Sequence, residues 1–191
     1  MNLTAVDSAD PDLADTAKKL NEQGLTIVDR TAIVRHICQR FRFSDDLFDG
    51  LIFARATKAI IRAISRPIDV TASPALDRIG IDFLRIDMAN PRMTTSAAMT
   101  WARYAQQNAV DTTAQQCEAF LGRKRFCVND TQLDTCTGRG FVFIRHYGHG
   151  LGVGFLESTR RSDDNFRRVR SMYPRAYAAD LENTSPFGNP L

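Results

Sequence analysis

Apolar positions recur at helical spacing near the start of the chain and at alternating spacing towards its end. Asp10 followed by Pro11 predicts a helix start, Asp10 as N-cap and Pro11 at the first helical position. That helix runs to about Gln23 and stops at Gly24. Asp29 predicts a second cap, ahead of Ile33, Val34, Ile37 and Phe41 on one helical face. Ser44 predicts the cap of a short turn through Asp45-Asp-Leu-Phe48, ending near Gly50. Leu51–Phe53 and Ala59–Ile64 read as two strands about a turn at Thr57-Lys58, although the second segment also fits a helix. Asp69 to Pro74 reads as a loop. Ile79, Ile81, Phe83 and Arg85 alternate with Gly80, Asp82 and Leu84, which predicts another strand.

Pro91 breaks the pattern before the clearest helix, capped by Thr95 or Thr94. In it Ala97, Ala98, Trp101, Ala102, Tyr104 and Ala105 form a small-residue face studded with aromatics. Thr112 predicts the cap of a further helix with Gln115 as its capping-box partner, Cys117, Phe120 and Leu121 facing inward and Gly122 ending it. Beyond Arg123 the pattern becomes β: Phe126–Val128, Phe141–Ile144, Leu151–Phe155 and a strand near Val169, with a polar loop from Asn129 to Arg139. The tail from Asn183 is polar and rich in Pro and Gly. The composition shift near residue 90 divides the chain into an α+β N-terminal module over 1–90, a helix–helix–β module over 91–182 and a loose tail over 183–191.

Gly148, Gly150, Gly152 and Gly154 fall at strict two-residue spacing, with Leu151, Val153 and Phe155 between and beyond them. A phosphate-cradling loop of the G-x-G-x-G kind must follow a strand and open a helix. Here a polar run, Glu157-Ser-Thr-Arg-Arg-Ser-Asp-Asp164, follows instead. Period two therefore predicts a strand, one face apolar through Leu151, Val153 and Phe155 and the other almost bare backbone. A bare face admits a second backbone or a ligand at close range.

At 43% hydrophobic and 25% charged, the composition is that of an ordinary soluble globular protein, and no apolar run is long enough to span a membrane. The acidic N-terminal stretch Met1–Asp10 fits neither a secretory signal nor a mitochondrial presequence. Cys38, Cys117, Cys127 and Cys136 are far apart, without a C-x-x-C pair, which argues against structural zinc and for reduced thiols in a cytoplasmic protein. Residues 120–175 hold eleven basic side chains, ten of them arginine, against five acids, while the rest of the chain is net acidic. Arginine suits phosphate forks and base stacking, so this clustering favours a nucleic-acid partner over a merely solvated basic surface.

Four segments then follow in order: Ser96-Ala-Ala-Met-Thr-Trp-Ala-Arg-Tyr-Ala105, Val110-Asp-Thr-Thr-Ala-Gln-Gln-Cys-Glu-Ala-Phe-Leu-Gly122, the glycine-rich Gly140–Phe155, and Val169-Arg-Ser-Met-Tyr-Pro-Arg175. Together they resemble the PUA-like RNA-binding region at the C-terminus of Sun-family RNA cytosine-5 methyltransferases, over a little under half of the chain. Arg40-Phe-Arg-Phe43 and Leu47-Phe-Asp-Gly50 are more distantly similar to the small α/β module that precedes PUA domains. The resemblance implies an α+β protein: a small α/β pre-PUA-like module, then a PUA-like β pseudobarrel with flanking helices. It also implies structured RNA, ribosomal or transfer, against the glycine strand. Arg145, Arg167, Arg168, Arg170 and Arg175 are the phosphate candidates. His146, Tyr147 and His149 are the stacking candidates at the turn, and the backbone of Gly150 and Gly152 is the close-approach surface. Each has a structural alternative: Tyr147 packing on the barrel, His149 an exposed turn residue, the glycines serving tight closure.

An S-adenosylmethionine-binding unit needs a strand, a glycine loop and a helix, and none is found before residue 90. Thr135-Cys136-Thr137 matches the catalytic Thr-Cys dipeptide of that family only superficially, because it falls in the polar loop without an acid–base partner. Asp45-Asp46 and Asp163-Asp164 read as capping or loop carboxylates. The expectation is a non-catalytic RNA-binding protein without cofactor or metal, serving ribosome assembly or RNA modification. Two other readings stand: the RNA-binding subunit or remnant of a methyltransferase whose catalytic domain is a separate chain, and a protein adaptor presenting Trp101 and Tyr104, against which these aromatics read as the core joining the two modules.

Overall fold

The computed structural model describes residues 11–66, 78–157 and 168–178. Asp10, the expected loop over Asp69 to Pro74, the pair Asp163-Asp164, Arg167 and the tail from Asn183 lie outside the described residues. The protein is mixed α+β and divides into two compact units, Met1–Ala97 and Ala98–Leu191. Each carries a five-stranded sheet among the described residues.

In the first unit, α1 (Pro11–Glu22) ends where Gly24 takes φ +73. After a two-residue strand β1 (Thr26–Ile27), α2 (Arg30–Phe41) starts on Asp29, whose carboxylate accepts the Thr31 N–H at 2.8 Å. Its stripe Ile33, Val34, Ile37 and Phe41 is buried as the spacing predicts. Ser44 stands at the N-cap position of the 3-10 turn Asp45–Phe48, but its hydroxyl bonds the Asp46 carboxylate and leaves the turn's N–H groups alone.

The strands β2 (Leu51–Arg55), β3 (Ile60–Ser65), β4 (Ile81–Arg85) and β5 (Arg92–Met93) extend β1 into an antiparallel meander in chain order. Every strand pairing among the described residues of this unit is antiparallel, so its connectivity is α+β, as the composition shift suggests, and not the α/β that the resemblance implies. The ambiguous segment at Ala59–Ile64 is a strand, and the Thr57 hydroxyl closes the preceding turn by accepting from the N–H groups of Ala59 and Ile60. Phe41, Phe43, Phe48, Phe83 and Phe53 form a chain of ring contacts between 4.9 and 5.9 Å apart. β4 does not keep the expected alternation. Ile81 is 39% exposed, whereas Phe83 and Leu84 are both buried.

The helix after Pro91 is α3 (Thr95–Trp101), inside which the boundary between the two units falls. Thr94 is its cap, accepting the Ala97 N–H at 3.2 Å. A 3-10 turn, Ala102–Tyr104, continues it; Trp101 is buried and Tyr104 is 44% exposed, so Tyr104 leaves the expected apolar face. β6 (Ala109–Asp111) occupies what reads as the approach to a helix. α4 (Ala114–Leu121) starts one residue later than expected, on a capping box of Thr113 with Gln116. Thr112 is not the cap because its hydroxyl donates to the Arg145 carbonyl at 2.8 Å.

β7 (Arg125–Cys127) leads into a short helix, α5 (Asp130–Leu133), in the segment read as loop. A second capping box, Asn129 with Gln132, starts α5. Gln116 and Gln132 donate to each other's side-chain carbonyls at 3.1 and 2.8 Å, joining the two helix starts. β8 (Gly140–His146), β9 (His149–Leu156) and β10 (Arg168–Ser171) complete the sheet in the order β6-β8-β9-β10-β7, with β6 and β8 parallel. One face of it buries Val142, Ile144, Leu156 and Val169 with Val110, Phe120, Phe126, Val128 and Tyr173.

Candidate nucleic-acid interface

β9 is a central strand, and its glycines are divided between the two faces of the sheet. Pairing shifts between Ile144 and Arg145: Ile144 faces Gly152 and Arg145 faces Gly150, leaving Leu151 as a bulge. Gly152 and Gly154 therefore lie on the face of Val142 and Ile144, and Gly150 on the face of Arg145. A Cβ on Gly150 would run into the Ala98 carbonyl oxygen and stand 2.9 Å from the Ala102 methyl carbon; one on Gly154 would stand 2.6 Å from Val169 Cγ1. Gly152 is buried. The bare strand expected against RNA is filled on both faces by the chain's own groups, which removes Gly150 and Gly152 as close-approach surface.

The phosphate candidate Arg145 is committed as well. Its Nε and Nη2 donate to both oxygens of Asp111 at 3.0 and 2.5 Å, and its Nη1 donates to the Ala105 carbonyl at 3.2 Å. Its side chain is 16% exposed. This fork ties β8 to β6 and to the segment after α3, a structural use of the guanidinium.

β8 and β9 are joined by the two-residue turn Tyr147-Gly148, both at positive φ (49 and 78), with His146 opposite His149. Left-handed backbone at both positions is what a tight two-residue hairpin needs. His146 donates Nδ1–H to the Thr112 carbonyl at 2.8 Å, and its ring centroid lies 4.3 Å from that of Tyr147. Tyr147 is 87% exposed and does not pack on the sheet, and His149 is exposed too. This tip is six residues along β9 from Phe155, about 20 Å at 3.3 Å per residue. The predicted set therefore falls apart into a tip and a far end of the sheet.

At that far end the registers build a row across four strands. Arg125 pairs with Arg170, Arg170 with Phe155, and Phe155 with Phe141. Cross-strand partners share a face, so all four side chains stand on the side opposite the apolar cluster. The two phenylalanine rings meet edge to face at 5.3 Å, both half-buried. The guanidinium carbons of Arg139 and Arg170 lie 5.6 and 5.5 Å from the Phe155 ring centroid. Arg168 follows on the same face, two residues from Arg170 and opposite exposed Cys127. Glu157 stands among them, 3.3 Å from Arg125 and 3.9 Å from Arg170, with those two side chains 60% and 49% exposed. Exposed pairs of this kind hold their partners weakly, so the guanidiniums remain available to a stronger anion.

Of the expected residues, Arg168 and Arg170 join this row. Arg175 is exposed in the helical turn after Pro174, and Arg167 is outside the described residues. Arg125, Arg139, Phe141 and Phe155 were not among the expected site residues. The alternation in Arg125-Phe-Cys127 and Arg168-Val-Arg170 already puts cations opposite buried Phe126 and Val169; only the strand order brings Phe141 and Phe155 beside them.

A cleft of about 360 Å³ lies elsewhere in this unit, lined by Asp111, Thr112, Thr113, Asn129, Thr131 and Gln132 among others. Its polar groups are largely spent on the two capping boxes and on Arg145. Cys136 is half-buried against the apolar cluster, its thiol donating to the Gln132 carbonyl at 3.8 Å. Burial raises the Cys117 thiol above its ordinary value, and Glu118 adds to this. Among the described residues no group of three His, Cys, Asp or Glu side chains is placed to hold a metal, and no helix is long and apolar enough to cross a membrane. Compared with known proteins, the chain matches no protein-family model and no curated protein.

Proposed function

We propose that the chain is a non-catalytic RNA-binding protein whose second unit, a PUA-like module, grips structured RNA of the ribosomal or transfer kind. The row Arg125–Arg170–Phe155–Phe141, with Arg139 and Arg168 beside it, carries this reading. Guanidiniums meet phosphates, and half-buried aromatics offer bases a surface at little entropic cost. The order of the four segments that resemble the Sun-family C-terminal region supports the same partner. A role in ribosome assembly or in bringing RNA to a modifying enzyme follows from such a grip.

Fluorescence anisotropy of the full chain with labelled transfer RNA and a ribosomal RNA fragment tests this. Replacing Arg125 and Arg170 by alanine together removes about 1.5 kcal/mol or more per arginine, roughly a hundredfold in affinity for the pair. Affinity for both RNAs unchanged by the double substitution sinks the reading.

A further inference from the structure

Resting on that RNA reading, we propose that the aromatic–arginine row takes two or three consecutive unpaired nucleotides and discriminates against duplex. Their bases lie on Phe155, Phe141 and the Arg139 guanidinium, and their phosphates on Arg125, Arg168 and Arg170. The row crosses four strands, about 14 Å at roughly 4.8 Å between neighbours. That span suits the two or three bases that four-stranded RNA-binding sheets stack.

The chemistry of the row favours the unpaired form. In A-form RNA the bases are already stacked on one another, and a protein meets chiefly 2′-hydroxyls, phosphates and shape. Two phenylalanine rings set edge to face offer little to such a surface, whereas splayed bases present a free π-face to them. The rings are also held in place before binding: the edge-to-face contact at 5.3 Å and half-burial fix Phe141 and Phe155 on β8 and β9. The Arg139 and Arg170 guanidiniums stand over the Phe155 ring, 5.6 and 5.5 Å from its centroid, so a base that stacks on this ring does so as the guanidiniums swing to its phosphates or stack on it in turn.

The experiment uses the full chain with a labelled single-stranded RNA of about twelve nucleotides, within the site sizes of such surfaces, and the same strand annealed to its complement. Single strand is expected to bind about tenfold or more tightly than duplex. Phe155→Leu and Phe141→Leu, which keep an apolar side chain in the sheet, each weaken the single strand roughly tenfold and leave duplex binding alone. A Phe155→Trp chain, checked for native circular dichroism, shows indole fluorescence quenched by the single strand. Equal binding of duplex and single strand, or leucine variants with native affinity, overturns this inference and leaves the RNA reading standing. Binding of neither RNA overturns both.

Discussion

Arg145 and Arg170 are alike in sequence terms, both in arginine-rich alternating segments, yet the fold uses them differently. Arg145 meets Asp111 in a fork with 16% of its side chain exposed. Arg170 keeps 49% exposure beside an aromatic ring and a carboxylate 3.9 Å away. No local feature distinguishes them, because the acid that claims Arg145 lies on another strand. Glu157 is the residue whose removal has an informative sign. It occupies the ground between Arg125 and Arg170 that a phosphate would take, so like-charge repulsion and competition for the guanidiniums oppose RNA there. Glu157→Gln should tighten RNA binding about threefold to tenfold, a gain of roughly 1 kcal/mol as for an exposed pair. Anisotropy at low salt reads it, and a weakened complex would mean that Glu157 holds the arginines in their binding positions.

At the scale of elements, helices and turns with a local cause followed the sequence closely. Asp29 caps α2, Gly24 ends α1, and Thr57 closes the β2–β3 turn, each through groups within a few residues. Elements that depend on a distant partner escaped it. β6 has three residues and exists as a strand because β8 lies parallel to it; α5 has four and starts on a box tied to Gln116. The glycine strand belongs to both groups. Its period predicts a strand, but the bulge at Leu151 and the cover over Gly150 come from β8 and the segment Ala98–Ala102. Gly150→Ala should destabilise the protein by about 1–3 kcal/mol through overpacking against a backbone carbonyl. The urea midpoint measures it. A Gly150→Ala chain as stable as the native one would show that the cover retreats freely and that the glycine serves something other than closure.

For the molecule as a whole, charge concentrates in one unit. The net charge is modest at +3, but the row on the second sheet gathers Arg125, Arg139, Arg168 and Arg170 around one acid, Glu157, among its described members. Three phosphate contacts on single-stranded RNA, at Arg125, Arg168 and Arg170, predict a slope of log affinity against log salt of about −2, at roughly −0.7 per contact. Affinity measured from low to near-physiological salt checks this. A flat line would remove the phosphate contacts from the account.

The sequence by itself determined conformations with a near neighbour as their cause, the cap at Asp29, the stops at Gly24 and Gly122 and the period of two across residues 140–155, because these answer to groups a few bonds away. It also set the basic character of the second half. Tertiary structure alone decided which faces those residues share. Register put Arg125, Arg170, Phe155 and Phe141 in one row and separated them from Tyr147 and His149. It also turned the glycine ladder into packing surface. Strand order and bulge position depend on pairing across the whole unit, so a shift of one residue would send every one of these side chains to the other face.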